Sequence, residues 1–266
     1  MLSNLHTHTT FCDGKNTPEE MVLSAIEKGF CSLGFSGHSY TPFDTSYCMD
    51  DTKGYIAEIA RLKEKHKNDI EIYSGVEEDS AVPVAREDFR YIIGSAHYVL
   101  LGGKYYPVDS TYEELKECLA LCGNDPLFLA HAYFKPFCDY IKRRKPDIVG
   151  HFDLITKFDE KYEPIFLGNK EFDKLAEDYM LEAVKSGCLF EVNTGAIARG
   201  LRVNPYPQNN LLQILRRNGN GIVISSDSHS ADTLDFGFDE MRCYLKDQGF
   251  EYVWTLYKGE FTKDYL

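Results

Sequence analysis

The chain has 266 residues, and 29 Lys+Arg against 42 Asp+Glu give a formal charge of −13. That balance excludes the dense Lys/Arg surface needed to bind a nucleic-acid backbone or to adhere to an anionic membrane. With 43% hydrophobic and 27% charged residues, the composition is that of a folded globular chain, neither disordered nor fibrous.

The first residues, Met1-Leu2-Ser3-Asn4-Leu5-His6, lack a basic stretch followed by an apolar one, so they do not read as a secretory signal. No window approaches the roughly 18 consecutive apolar residues of a membrane span. The eight cysteines are scattered and form no CxxC pair, which argues against a zinc ribbon or a thioredoxin-like site. They read as free thiols in a reducing compartment, and the expected location is cytoplasmic.

Seven short apolar, β-branched or aromatic runs read as strands: Ser3–His8, Leu33–His38, Ile70–Glu77, Tyr91–His97, Ile148–His151, Cys188–Asn193 and Gly221–Asp227. Amphipathic stretches lie between most of them. Pro18–Lys28 follows the start signal Asn16-Thr17-Pro18. Gly54–Asn68, Tyr112–Leu121, Lys170–Ser186 and Asn209–Asn218 also have helical spacing, and Asn124-Asp125-Pro126 opens a helix to about Arg144 that Pro136 would kink. Strands alternating with helices predict parallel βαβ units. The expected fold is α/β: a distorted (β/α)7 TIM-like barrel formed by residues 1–266 as a single domain, one unit short of the usual eight.

Nearly every predicted strand ends in a residue that can bind metal: His6 and His8, His38, Glu77, His97, His151, then Asp227 with His229. In a parallel barrel the C-terminal strand ends open onto one face, where active sites sit. His6-Thr7-His8 puts two imidazoles on one side of a strand, though a lone HxH is weak evidence. Asp13 follows in a loop and, taken alone, reads equally as a turn aspartate. Asp227 closes the apolar run Ile222-Val223-Ile224, where a carboxylate is costly unless paired or metal-bound. Of Glu77, Glu78 and Asp79, only Glu77 is in phase to enter the mouth. Six of the eight histidines fall at strand ends. His66 reads as part of a solvated face, and His131 is a reserve ligand in place of His151.

The blocks His6-Thr7-His8 with Asp13, Ser36-Gly37-His38, Ser74-Gly75-Val76-Glu77-Glu78-Asp79, Gly94-Ser95-Ala96-His97, Gly150-His151-Phe152-Asp153 and Ser226-Asp227-Ser228-His229 resemble the polymerase-and-histidinol-phosphatase (PHP) superfamily. Within it the chain resembles the stand-alone histidinol-phosphate phosphatases, supported by Glu191-Val192-Asn193-Thr194-Gly195. The resemblance implies a metal site at the C-terminal strand ends, three divalent ions, and hydrolysis of L-histidinol phosphate in histidine biosynthesis. It implies that His6, His8, Glu77 and Asp227 hold one ion and that Glu77 bridges to a second held by His97 and His151. Asp13, His38 and His229 would hold the third. A bridging hydroxide would attack phosphorus in line, with Asp227, His229, Glu77 and Arg199 as catalytic residues. Nitrogen and oxygen donors without sulfur suit zinc, manganese or iron.

A phosphate dianion also wants a cationic fork. Arg199 reads as that fork or as a surface-loop cation, Lys157 is a second candidate acting as a point charge, and Arg202 a third. Asn193 reads as a substrate-orienting amide or a structural one. Asp153, Asp44 and Tyr206 are candidates for the substrate's amino and imidazole groups. The expected partner is a small phosphate substrate, with no nucleic acid or membrane, in a monomer or homo-oligomer. Rival readings are a related phosphoesterase acting on another small phosphate and a non-catalytic barrel serving as a regulator or binding module.

Overall fold

A computed structural model describes all 266 residues. Eleven strands occur in chain order: β1 Ser3–Asn4, β2 Ser32–Phe35, β3 Glu71–Asp79, β4 Tyr91–Ser95, β5 Tyr98–Leu101, β6 Lys104–Pro107, β7 Ile148–Val149, β8 Leu189–Asn193, β9 Ile222–Ser225, β10 Tyr252–Tyr257 and β11 Glu260–Tyr265. Seven of them form one parallel sheet in the order β1-β2-β3-β4-β7-β8-β9. The long β3 works in two halves: Glu71–Ser74 pairs with β2, and Gly75–Asp79 pairs with β4. Such a stagger is how a parallel sheet tilts and curls toward closure.

The barrel is nearly closed. β1 and β9 share no ladder, but Thr7 bridges Ser228, the His8 N–H reaches the Ser228 carbonyl at 2.8 Å, and the Ser228 N–H reaches the His6 carbonyl at 3.1 Å. These bonds draw the first and last metal-ligand motifs together at the rim. Strand β10 packs against β1 and β9 along the open seam. Its Leu256 joins Leu5, Tyr73, Tyr91, Ile93, Ile148 and Val223 in the barrel interior.

The helices are α1 Pro18–Glu27, α2 Thr52–Lys65, α3 Tyr112–Leu121, α4 Pro126–Arg144, α5 Lys170–Ala183, the single turn α6 Gly195–Ala198, α7 Asn209–Asn218 and α8 Phe238–Asp247. Their starts follow from capping chemistry. Thr17 and Glu20 form a capping box with Pro18 in the first turn, and Asp125 accepts the Leu127 and Phe128 N–H groups. Helix α4 runs through Pro136. No helix is long and apolar enough to cross a membrane.

Three expectations need correction. The β5–β6 and β10–β11 hairpins and helix α8 lie outside the predicted elements. Both hairpins turn on two residues at positive φ, Gly102-Gly103 and Lys258-Gly259, the usual chemistry of a tight antiparallel turn. His66 is buried rather than solvated, because it continues the inward stripe Tyr55, Ile59 and Leu62 of α2 at helical spacing. His131 is exposed on α4, with Nδ1 2.9 Å from the Tyr179 hydroxyl, so it stands outside the barrel mouth and leaves His151 in place.

Candidate metal centre

The nine residues singled out from strand ends and adjoining loops converge on one point. At its centre is Glu77, 1% exposed, whose two oxygens face different histidines. Oε1 lies 3.0 Å from His151 Nε2 and 3.3 Å from His97 Nε2. Oε2 lies 2.9 Å from His38 Nδ1, 3.2 Å from His6 Nε2 and 3.6 Å from His8 Nε2. Asp227 Oδ1 faces His8 Nε2 at 3.2 Å and His6 Nε2 at 3.7 Å. Asp13 completes an outer group, 3.2 Å from His229 Nε2, 3.7 Å from His8 Nδ1 and 3.8 Å from His38 Nε2.

Local backbone explains the aim. His6 and His8 share one face of an extended segment by the period of two. Asp227 adopts φ 47°, a left-handed conformation rare for a residue with a Cβ. That turn directs the carboxylate of Asp227 and the ring of His229 back over the mouth just after β9, and strain of this kind concentrates at functional sites.

Apart from the hydrogen bond between His151 Nε2 and Glu77 Oε1, most of the packed ligand atoms leave one another unsatisfied. His6 Nε2, His8 Nε2, Glu77 Oε2 and His151 Nδ1 are buried without a hydrogen-bond partner. Buried polar atoms are nearly always paired. Four orphans, three of them within one cluster of ligand-type atoms, fit a site for cations. Four subsets have donor atoms mutually within 4.8 Å: His6/His8/Asp227, His6/Glu77/His151, His38/Glu77/His97, and His8/Asp13/His38/His229.

Electrostatics follow from this crowding. Burial pushes the Glu77 carboxyl up, but His6, His38 and His97 outweigh it and hold Glu77 well below the usual range. Burial likewise opposes ionisation of Asp227, and Arg199 and His6 reverse the effect. His8 is driven down to about 3 by burial and by repulsion from His229 and His38. His6 goes the other way: burial lowers it, yet Glu191, Glu77 and Asp227 together raise it well above an ordinary imidazole.

The cluster forms one wall of a cleft of about 680 Å³. Arg199, just after α6, reaches this cleft. Its Nη2 donates to Asp227 Oδ2 at 3.0 Å and its Nη1 to the Asp227 carbonyl at 3.2 Å, with about a third of the side chain exposed. Lys157 also lines the cleft, its ammonium donating to the Asp109 carbonyl at 2.6 Å and to Asp109 Oδ2 at 3.2 Å.

Two candidate phosphate binders are spent elsewhere and do not line the cleft. The Asn193 amide donates to Glu191 Oε2 at 3.0 Å and accepts the Gly195 N–H at 2.8 Å, fixing the β8–α6 turn. Arg202 is buried, pairs with Glu160 at 3.2 Å, donates to Thr156, and stacks over the Tyr206 ring. Asp153 and Tyr206 are buried away from the cleft, whereas Asp44 lines it.

Several residues without a strand-end signal hold the ligands. Glu191 Oε1 lies 2.6 Å from His6 Nδ1, and its Oε2 accepts the His151 N–H at 2.8 Å. Asp79 Oδ2 lies 3.3 Å from His97 Nδ1. Cys12 Sγ lies 3.6 Å from His8 Nδ1. Lys15 adds an unpaired cation to the cleft wall.

Seven parallel strands with a buried His/Asp/Glu cluster and an arginine at their C-terminal mouth define an α/β barrel of the metal-dependent hydrolase class. More particularly, the chain belongs to the PHP domain family, whose model matches residues 4–195. It is 28% identical to the probable histidinol-phosphatase of Schizosaccharomyces pombe, over 96% of this chain and 89% of that protein. Its fold matches a Listeria monocytogenes chain described as a candidate histidinol phosphatase, with TM-score 0.76, 23% identity, and 90% and 99% of the two chains covered. It also matches the histidinol phosphate phosphatase of Lactococcus lactis solved with zinc, L-histidinol and phosphate, with TM-score 0.69, 20% identity and 98% of each chain covered.

Proposed function

We propose that this protein is a metal-dependent phosphomonoesterase that hydrolyses L-histidinol phosphate to L-histidinol and phosphate. The observation that carries the hydrolytic reading is Glu77. It is a buried carboxylate whose two oxygens face separate histidine sets, amid ligand atoms that have no hydrogen-bond partners. The substrate comes from the relatives named probable histidinol-phosphatase and histidinol-phosphatase, which this chain matches over 89% and 96% of their own lengths. The packing of the C-terminal hairpin into the barrel interior supports reading the whole chain as one domain.

The four overlapping donor subsets support a reading of three divalent cations. His6, His8 and Asp227, with Glu77 Oε2 facing both imidazoles, would hold one, and Glu77 Oε1 with His97 and His151 a second. Asp13, His38 and His229 would hold a third, with His8 Nδ1 close by. Neutral imidazoles and carboxylates without thiolate suit zinc, manganese or iron. When bound, such cations supply an acidified water and neutralise phosphoryl charge.

The chain's own residues supply the rest. Arg199, fixed on Asp227, turns its remaining N–H groups toward a phosphoryl oxygen and stabilises charge developing there. His229 Nδ1 lies 3.0 Å from the Asp227 carbonyl, which also accepts from Arg199 Nη1, so the phosphate fork and these two ligands share one geometry. Lys15 raises the local potential against the chain's overall acidity, whereas the charge of Lys157 is balanced by Asp109.

The test is phosphate release from histidinol phosphate beside a panel of sugar, nucleotide and amino-alcohol phosphates, with metal content measured on the same sample. Preferred turnover of histidinol phosphate is expected. Equal turnover of a generic ester would remove the substrate assignment, and metal binding without any hydrolysis would favour a binding module.

A further inference from the structure

Outside the ligand cluster, two carboxylates line the cleft, Asp44 and Asp109. Asp109 is already neutralised by Lys157. Asp44 is not: no Lys, Arg or His nitrogen lies within 4.0 Å of it, and all its partners are neutral donors. Its Oδ1 accepts the Ser46 N–H at 3.0 Å and the Ser46 hydroxyl at 2.7 Å, and its Oδ2 accepts the Tyr98 hydroxyl at 2.7 Å. These donors outweigh the effect of burial and keep the carboxyl below its ordinary value, hence ionised. A carboxylate offers about four lone-pair sites, so Asp44 retains acceptor capacity after these three bonds.

The wall that carries Asp44 is built to hold it at a set place. Phe43 stacks on Tyr105 with ring centroids 4.1 Å apart and meets Tyr98 edge-on at 4.9 Å. The loop after β2 is thereby clasped to the β5–β6 hairpin. Tyr47 stands between this wall and the ligand cluster, 4.8 Å from the His38 ring and 6.2 Å from the Tyr98 ring. One aromatic side chain therefore separates an unpaired anion from the ligand histidines.

We propose that Asp44 is a specificity residue that binds the protonated amine of the substrate while its phosphate lies at the ligand cluster and Arg199. The site then selects phosphate monoesters of amino alcohols over esters of uncharged alcohols. This rests on the phosphatase reading above. The alternative role for Asp44, bracing its own loop through Ser46, would affect all substrates alike.

The experiment compares wild type, Asp44→Asn and Asp44→Glu on three esters: histidinol phosphate, O-phosphoethanolamine and glycerol phosphate. Asparagine keeps an acceptor for Ser46 and removes the charge. For the two amino esters we expect kcat/KM to fall roughly 10–100-fold in Asp44→Asn, the range of a lost hydrogen bond to a charged group, and mainly through KM. Glycerol phosphate should change by less than about twofold, and Asp44→Glu should recover part of the loss. An equal fall on all three esters, or no fall on the amino esters, would overturn the assignment. Hydrolysis of none of them by the wild type would instead remove the phosphatase reading. Wild-type preference for both amino esters without special turnover of histidinol phosphate would remove only that substrate and still support Asp44.

Discussion

Glu191 Oε1 lies 2.6 Å from His6 Nδ1, deep in the barrel and fully shielded from solvent. The same carboxylate accepts the Ser225 hydroxyl, the His151 N–H and the Asn193 amide. It thus fixes the ring of one ligand and the backbone of another. A carboxylate behind a metal-binding histidine sets its tautomer and raises its basicity, and its loss typically costs about 10–100-fold in metal affinity. Glu191→Gln should therefore bind divalent metal more weakly by that factor while keeping the far-ultraviolet dichroism of the wild type. Titration of the chelator-stripped protein reads the affinity directly, and an unchanged isotherm would assign Glu191 to packing alone.

The same crowding makes the metal-free protein sensitive to pH, and the direction can be worked out group by group. His6, His97 and His229 are raised: burial lowers each, and neighbouring carboxylates more than offset it. Such groups contribute stability below the unfolded value near 6.5, and that stability is lost as pH climbs through the folded values. His8, lowered to about 3, is neutral in the fold and contributes above 6.5, losing that contribution as pH falls. Glu77, Asp227 and Glu191 are depressed, so theirs is present above the unfolded carboxylate range and lost in acid. Above pH 6.5 the raised histidines change first. Toward pH 9 the thiols of Cys12, Cys118 and Cys138, pushed up by burial, act in the same direction, because they stay protonated in the fold while the unfolded thiols ionise. With metal chelated, thermal scans should show Tm falling from about pH 6.5 toward pH 9. Metal-loaded protein should resist that fall, since cations bind the deprotonated ligands. A chelated Tm that rises over this range would contradict the charge assignment.

Beneath the site, Tyr91 fills the barrel interior. Its hydroxyl donates to the Leu5 carbonyl at 2.5 Å and lies 3.2 Å from the Phe35 carbonyl. The ring is admitted because Gly34 and Gly75 lack a Cβ. A methyl group built on Gly75 would meet the ring at 2.2 Å, and one on Gly34 would meet the hydroxyl at 2.3 Å. Gly75→Ala should destabilise the protein by about 1–3 kcal/mol through overpacking, read as a lower urea midpoint. Because Gly75 precedes Glu77 by two residues on β3, its metal affinity should fall as well. A midpoint equal to wild type would mean the ring has room to move.

How much of this was legible in the sequence depended on whether strand phase was followed to its end. All seven barrel strands were legible as short apolar, β-branched or aromatic runs, and six of them close on an abrupt change to His, Asp or Glu, types that are costly to bury without a partner. Eight of the nine candidate ligands lie at those strand ends or just beyond, whereas Asp13, in a loop, was marked only by the family resemblance. Glu191 was legible too, as an acid in the middle of Leu189–Asn193 and in phase with Asn193. Attention to the strand end picked Asn193, which proves to hold Glu191 and the next turn. Asp79 was missed because β3 was expected to stop at Glu77, whereas it continues two residues and keeps Asp79 on the same face. Asp44 could not be ranked above Asp153 and Tyr206 from sequence, and Asp109 drew no notice, since the β5–β6 hairpin that builds this side of the cleft departs from the βαβ rhythm.

Arg199 is the residue whose removal should separate phosphate handling from metal binding. It is bound to Asp227 by two donors, to a side-chain oxygen and to the carbonyl, and burial is outweighed by Asp227 in keeping it charged. Arg199→Ala alters none of the nine ligand residues but removes a positioned donor for the phosphoryl oxygens. Loss of one such donor costs on the order of 10²–10³-fold in kcat. Arg199→Lys should recover only part of this, because an ammonium cannot reproduce a planar fork held on Asp227 while facing phosphate. Phosphate inhibition should weaken in parallel, since product and transition state share the fork, and metal content per chain should stay within error of wild type. If Arg199→Ala instead lost metal together with activity, its role would be to hold Asp227 in its left-handed turn, and the phosphate fork would have to be sought at Lys15 or Lys157.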